Sequence, residues 1–184
     1  IAAASADGET VILNAAREPE IADLADFLCS CGAHISGADS GEIKVCGMKK
    51  LHSAEHTVIP DRIIASTYMA AAAVTVGDVR ILDTRAEHIT PVIPVFEQAG
   101  CKVDCGENSV HISAPVRLRS VQTVRTMPYP GFPTDSQAAV MAMLSVAHGT
   151  SVMIENIFEN RYRHVRELCR LGADIMTEGK VAVI

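Results

Sequence analysis

The chain has 184 residues, which fits one domain or a domain with part of another. Apolar residues make up 48% and charged residues 21%, enough core material to exclude a disordered tail and to describe a globular, soluble chain. Lys and Arg number 16 against 22 Asp and Glu, so the net charge of −6 offers nucleic acid no general attraction, and an anionic ligand needs a local cationic cluster.

The longest apolar run, Met69–Val76, is far shorter than the roughly 18–20 residues that span a bilayer. No basic-then-apolar leader opens the chain, and it reads as cytoplasmic, with no membrane partner. Cysteines stand at 29, 31, 46, 101, 105 and 169 without a C-x-x-C pair, so no metal and no cofactor is expected and free thiols are the reading. The start, Ile1-Ala2-Ala3-Ala4 without Met, reads as the tail of a helix already under way, and hence as a fragment of a longer protein.

In chain order the predicted elements repeat three times: an Ala-rich helix, a Gly, a short strand, an amphipathic helix, another Gly and two strands. The first copy runs through Gly8, Thr10–Leu13, a helix over Ile21–Cys31, Gly32, Ala33–Ser36 and Ile43–Val45. A polar stretch, His52–His56, reads as a linker, with a domain boundary near Val58. The second copy has Gly77, Val79–Leu82, a helix over Ile89–Ala99, Gly100, Lys102–Asp104 and Val110–Ile112. The third has Gly149, Ser151–Ile154, a helix over Arg161–Leu171, Gly172, Asp174–Met176 and Val181–Val183. The paired glycines are separated by 24, 23 and 23 residues, each where a positive-φ residue ends a helix. Each copy is a βαβαββ-like unit that cannot bury its faces alone, so the fold class is α/β, built of repeated subdomains around a shared core.

One copy breaks the pattern. In the second helix of a copy, apolar residues recur at i, i+3, i+4 and i+7, as in Ile21, Leu24, Ala25 and Leu28, or Ile89, Val92, Ile93 and Phe96. The third copy puts Arg161 and His164 in the first two places, ahead of Val165 and Leu168. Such a departure marks either a functional site at a helix start or a frayed turn with Arg161 in solvent. Asp61 after Pro60 and Asp135 in Pro133-Thr134-Asp135 both stand at the start of Ala/Met-rich helices. Each is a helix-capping carboxylate or, if the two loops converge, part of one cleft in which a carboxylate acts as base. Three prolines stiffen Met127–Pro133 ahead of Asp135, while Arg17-Glu18-Pro19-Glu20 reads as a charged helix start.

The stretches Asn14–Ile21, Pro60-Asp61-Arg62, Pro128–Asp135 and Phe158-Glu159-Asn160-Arg161 resemble, in order and spacing, the UDP-N-acetylglucosamine 1-carboxyvinyltransferases, the enolpyruvyl transferases of peptidoglycan synthesis. The resemblance covers essentially the whole chain. It implies an inside-out α/β barrel of two domains with three repeats each, incomplete here. Residues 1–57 would be the last repeat of the first domain, and residues 58–126 and 127–184 two repeats of the second. It further implies transfer of the enolpyruvyl group of phosphoenolpyruvate to the 3′-hydroxyl of UDP-N-acetylglucosamine, with release of phosphate, in a cleft between the domains. On the same resemblance Asp135 is the base that takes the hydroxyl proton, Ile157 lies against the nucleotide sugar, and Asp61, Glu159 and Arg161 line the cleft.

Ile64 and Ser66 depart from the acid and Gly usual in that family. Its reactive cysteine loop, its N-terminal Lys-Asn pair and its phosphoenolpyruvate-binding arginines map outside these residues. None of the six cysteines is therefore assigned catalysis, and the 184 residues alone are expected to be inactive. Two alternatives stand beside this reading: the sister 5-enolpyruvylshikimate-3-phosphate synthase, and a non-catalytic nucleotide-sugar-binding paralogue that keeps Asp135 as a helix cap.

Overall fold

A computed structural model describes residues 1–48 and 50–184, which divide into two compact units, Ile1–Ile59 and Pro60–Ile184. Among the described residues, no helix is long and apolar enough to cross a membrane.

The first unit holds a 3-10 turn at Ala3–Ser5, strand β1 (Glu9–Leu13), helix α1 (Pro19–Ser30) and strands β2 (His34–Ser36) and β3 (Glu42–Cys46). The strands form an antiparallel sheet in the order β1-β3-β2, with Thr10 opposite Val45 and Ile35 opposite that same Val45. Ile43 and Val45 alternate inward along β3 and meet Leu28 of α1, Ala4 and Ala33 in the core. Helix α1 opens on Pro19, whose missing N–H is no loss in a first turn. The stretch expected to be a linker is irregular but tied down. The His52 amide donates to the Cys31 carbonyl at 2.9 Å, His56 Nε2 lies 2.9 Å from Asp23 Oδ1, and the Ile59 amide donates to that oxygen at 3.3 Å.

The second unit holds helix α2 (Arg62–Val74), strand β4 (Asp78–Leu82), helices α3 (Ala86–Ile89) and α4 (Ile93–Gln98), and strands β5 (Lys102–Cys105), β6 (Ser109–Ser113) and β7 (Thr123–Arg125). It continues with α5 (Gln137–Leu144), β8 (Val152–Ile154), α6 (Val165–Arg170), β9 (Met176–Glu178) and β10 (Val181–Val183). One sheet has the antiparallel order β4-β6-β5; the other has the order β7-β8-β10-β9, with β7 and β8 parallel. The C-terminal copy is thus a complete βαβαββ unit, whereas no strand precedes α2 among the described residues of this unit. Helices α2 and α5 pack on each other in the core. Small residues of α2, Ala65, Ser66, Ala70 and Ala73, permit the close approach, and α5 buries Val140, Met141, Met143 and Leu144 as a helix apolar nearly all round must.

Gly32, Gly100 and Gly172 sit at φ 99°, 101° and 101°, each closing its helix with the same pair of bonds. In the first, the Gly32 amide donates to Cys29 and the Ala33 amide to Leu28; Gly100 and Cys101, and Gly172 and Ala173, repeat this on their own helices.

Four expectations need correction. The left-handed residue that ends α2 is Val76 at φ 54°, not Gly77, whose amide instead reaches back to the Ala72 carbonyl at 2.8 Å. The helix expected over Ile89–Ala99 is two helices, because Pro91 has no N–H to donate to a continuing helix, and α4 starts afresh with Pro94 in its first turn. The helix expected from Arg161 begins at Val165, after a run of turns. The strand expected over Asp174–Met176 starts at Met176.

Candidate active site

The stiff loop Met127–Pro133 leaves the end of β7 and turns back on itself, with the Met127 amide donating to the Phe132 carbonyl at 3.0 Å and the Gly131 amide to Pro128 at 2.8 Å. Buried Phe132 anchors it in the core. The loop ends in a 3-10 turn, Thr134–Ser136, that carries Asp135 at the head of α5. Asp135 does not cap that helix with its side chain. Its Oδ1 instead accepts from Arg161 Nη2 at 2.5 Å, and the carboxylate is 58% exposed. Arg161 in turn lies over the Phe158 ring, Cζ 5.3 Å from the centroid, a cation–π contact that holds the guanidinium from behind. The neighbouring Tyr162 hydroxyl, 3.0 Å from the carbonyls of both Met153 and Lys180, fixes the turn that carries Arg161.

The two polar residues of the third copy have therefore different fates. Arg161 pairs with Asp135, while His164 turns to the core and lies 3.3 Å from Met141 Sδ. Burial holds the His164 pKa below the ordinary histidine value, and the Arg161 charge works in the same direction.

The two Pro-Asp turns do come together. Ser66 and Ser136 share a hydrogen bond of 2.7 Å between α2 and the Asp135 turn, and Arg62 lies over the Tyr129 ring of the stiff loop at 5.6 Å. Asp61 itself caps α2, its Oδ1 accepting from the amides of Ile63 at 2.8 Å and Ile64 at 3.1 Å. Ile157 is 37% exposed beside Phe158, on the segment that follows β8. Glu159 borders a shallow hollow with Tyr162, Arg163 and Thr177.

Glu155, which the pattern of residues does not single out, lies beneath all of this. It is 1% exposed. Its Oε1 accepts from Thr126 Oγ1 at 2.8 Å and from the amides of Ile157 at 2.8 Å and Phe158 at 3.1 Å, and its Oε2 accepts from Thr134 Oγ1 at 2.9 Å. Burial alone pushes this carboxyl's pKa up, but the four hydrogen bonds outweigh it and hold the group below its ordinary value. A Glu after a short strand reads as a solvated carboxylate, and its hydroxyl partners stand 29 and 21 residues earlier, so local sequence carries no signal for it.

Chemically the surface offers a carboxylate that accepts a proton, a guanidinium that binds anions, and an apolar ledge at Ile157. All six cysteines are free thiols, and no cluster of His, Cys, Asp and Glu among the described residues is arranged to hold a metal.

The family model described as EPSP synthase (3-phosphoshikimate 1-carboxyvinyltransferase) matches residues 1–184. The UDP-N-acetylglucosamine 1-carboxyvinyltransferase of Geotalea daltonii is 50% identical, and the enzyme named UDP-N-acetylglucosamine 1-carboxyvinyltransferase 2 of Caldanaerobacter subterraneus is 49% identical, each over all 184 residues. The chain spans 44% of the length of each of these relatives. Among solved structures, the enolpyruvyl transferase NikO from Streptomyces tendae shares the fold at a TM-score of 0.86 and 24% identity, over 98% of this chain and 43% of NikO. By the whole-length match, the chain belongs to the family described as EPSP synthase (3-phosphoshikimate 1-carboxyvinyltransferase), and within it is similar along its whole length to UDP-N-acetylglucosamine 1-carboxyvinyltransferases.

Proposed function

We propose that this chain is part of an enolpyruvyl transferase that moves the enolpyruvyl group of phosphoenolpyruvate onto the 3′-hydroxyl of UDP-N-acetylglucosamine. The observation that carries the reading is the Asp135–Arg161 pair on a stiff, core-anchored loop, in a chain about half identical to transferases of that name. The hydroxyl proton passes to the Asp135 carboxylate, the sugar oxygen bonds to the enolpyruvyl carbon, the carbon–oxygen bond to phosphate breaks, and phosphate leaves. A sugar hydroxyl is a poor nucleophile, so a positioned base is what this step needs.

Both substrates are anionic, and Arg161 is the cation at the site that meets them. Ile157 supplies apolar contact to the nucleotide sugar, and Asp61 and Glu159 border the cleft. The reaction commits the sugar to peptidoglycan, in the cytoplasm, and uses no cofactor. Residues 1–57 are the last repeat of one domain, and residues 58–126 and 127–184 two repeats of the next. The 184 residues alone, 44% of the length of these relatives, are expected to show no turnover.

The test is phosphate release in a polypeptide of the relatives' full length that carries this chain. Release is expected to require both phosphoenolpyruvate and UDP-N-acetylglucosamine, and to fall about 10²–10⁴-fold in Asp135→Asn. Binding of the nucleotide sugar without release would assign the chain to a non-catalytic paralogue. Release driven by shikimate 3-phosphate would assign it to the sister synthase.

A further inference from the structure

We infer that Glu155 is the positioning residue of this site: one carboxylate oxygen registers the turn that carries Asp135, and the other registers the segment that carries Ile157 and Arg161. The inference rests on the reading of Asp135 as the base.

A fully buried carboxylate is costly, and an apolar side chain of similar volume fills a core at lower cost. Glu155 is 1% exposed, so its presence calls for a role other than filling space. Its hydrogen bonds divide by oxygen. Oε2 takes the hydroxyl of Thr134, the residue directly before Asp135, at 2.9 Å. Oε1 takes the amides of Ile157 and Phe158 at 2.8 and 3.1 Å, together with the Thr126 hydroxyl at 2.8 Å. Thr126 passes the constraint on, since its oxygen also accepts from the Asn156 amide at 2.8 Å.

Phe158 carries the ring under Arg161, so the amide arm sets the guanidinium as well as Ile157. The backbone of Glu155 is itself fixed to the sheet through its amide, which donates to the Lys180 carbonyl at 2.8 Å. The loop before α5 and the loop after β8 are otherwise far apart in sequence. One anchored carboxylate brings them into a common register, which is what an Asp135–Arg161 pair delivered from two separate loops requires.

The two arms make different demands on the kinetics, and Thr134 tests one of them alone. In a polypeptide of the relatives' full length, Thr134→Val removes the Oε2 bond and keeps the side chain's shape. Thr134→Ser keeps the hydroxyl. Thr134→Val is expected to lower kcat roughly ten- to a hundred-fold, the scale of a small misplacement of a reacting group, with KM for UDP-N-acetylglucosamine unchanged within about twofold. Thr134→Ser is expected to restore kcat to within about threefold of the parent.

An unchanged kcat in Thr134→Val, or a Thr134→Ser variant as impaired as Thr134→Val, overturns the inference. A second readout is independent of turnover. In ¹H–¹⁵N spectra of the 184-residue chain, Thr134→Val is expected to move the Asp135 amide and the Arg161 Nε resonance, and Thr134→Ser to return them. Unmoved resonances overturn the inference even where the parent is active. An inactive parent whose resonances do move instead defeats the transferase reading and leaves the carboxylate's positioning role standing.

Discussion

Glu155→Gln isolates the charge of the buried carboxylate, because the amide is nearly its isostere and stands in for the protonated acid. A hydrogen bond to a charged group is worth about 1.5–3 kcal/mol and a neutral one about 0.5–1.5, so four weakened bonds put roughly 4 kcal/mol at stake. Relief of the desolvation penalty offsets part of that, and the depressed pKa of Glu155 shows that the bonds prevail over burial. The net expectation is a loss of about 2 kcal/mol at neutral pH. Because the folded pKa lies below the ordinary 4.5, this stabilisation is complete above that value and is lost as pH falls through the folded value. The gap between parent and variant is therefore expected to be constant from pH 7 to about 5 and to narrow progressively below about 4.5. Urea unfolding followed by tyrosine fluorescence reads the relevant unit, since the chain has no Trp and its three tyrosines, Tyr68, Tyr129 and Tyr162, all lie beyond residue 60. Equal stability of parent and variant at pH 7, or a gap that stays the same down to about pH 3, would refute the reasoning.

Two further substitutions separate backbone and capping effects from the chemistry. Val76→Gly relieves a left-handed conformation worth about 1–2 kcal/mol to an L-residue, against about 0.5–1 kcal/mol of added chain freedom. Since Val76 is 51% exposed and loses little burial, a small rise in urea midpoint is expected, and a fall would contradict the assignment of strain to this residue. Asp61→Ala is expected to lose about 1 kcal/mol of stability through the cap on α2, while Asp61→Asn keeps it within a few tenths. In a polypeptide of the relatives' full length, Asp61→Asn is expected to raise KM for UDP-N-acetylglucosamine; an unchanged KM would leave Asp61 as a cap alone.

What could be read from the residues follows from how local each cause is. Gly32, Gly100 and Gly172 announce their helix ends because a left-handed residue there is a local demand that Gly meets at least cost. The same rule misplaces the end of α2 by one residue, since Val76, and not the glycine after it, takes the left-handed conformation that its own propensity opposes. Pro91 and Pro94 break the second copy's helix through an equally local cause, yet the apolar period running from Ile89 to Phe96 masks it. The site divides along the same line. Arg161 stands out because a charge interrupts a core stripe, and it meets Asp135 across 26 residues of chain. Glu155 interrupts nothing. It terminates a strand, as solvated carboxylates commonly do, and acquires its meaning only when β7 and β8 pair in parallel and bring Thr126 and Thr134 alongside it. A group whose role is to hold other groups in place is written in tertiary contacts, so a single sequence shows the side chains it places and conceals the one that places them.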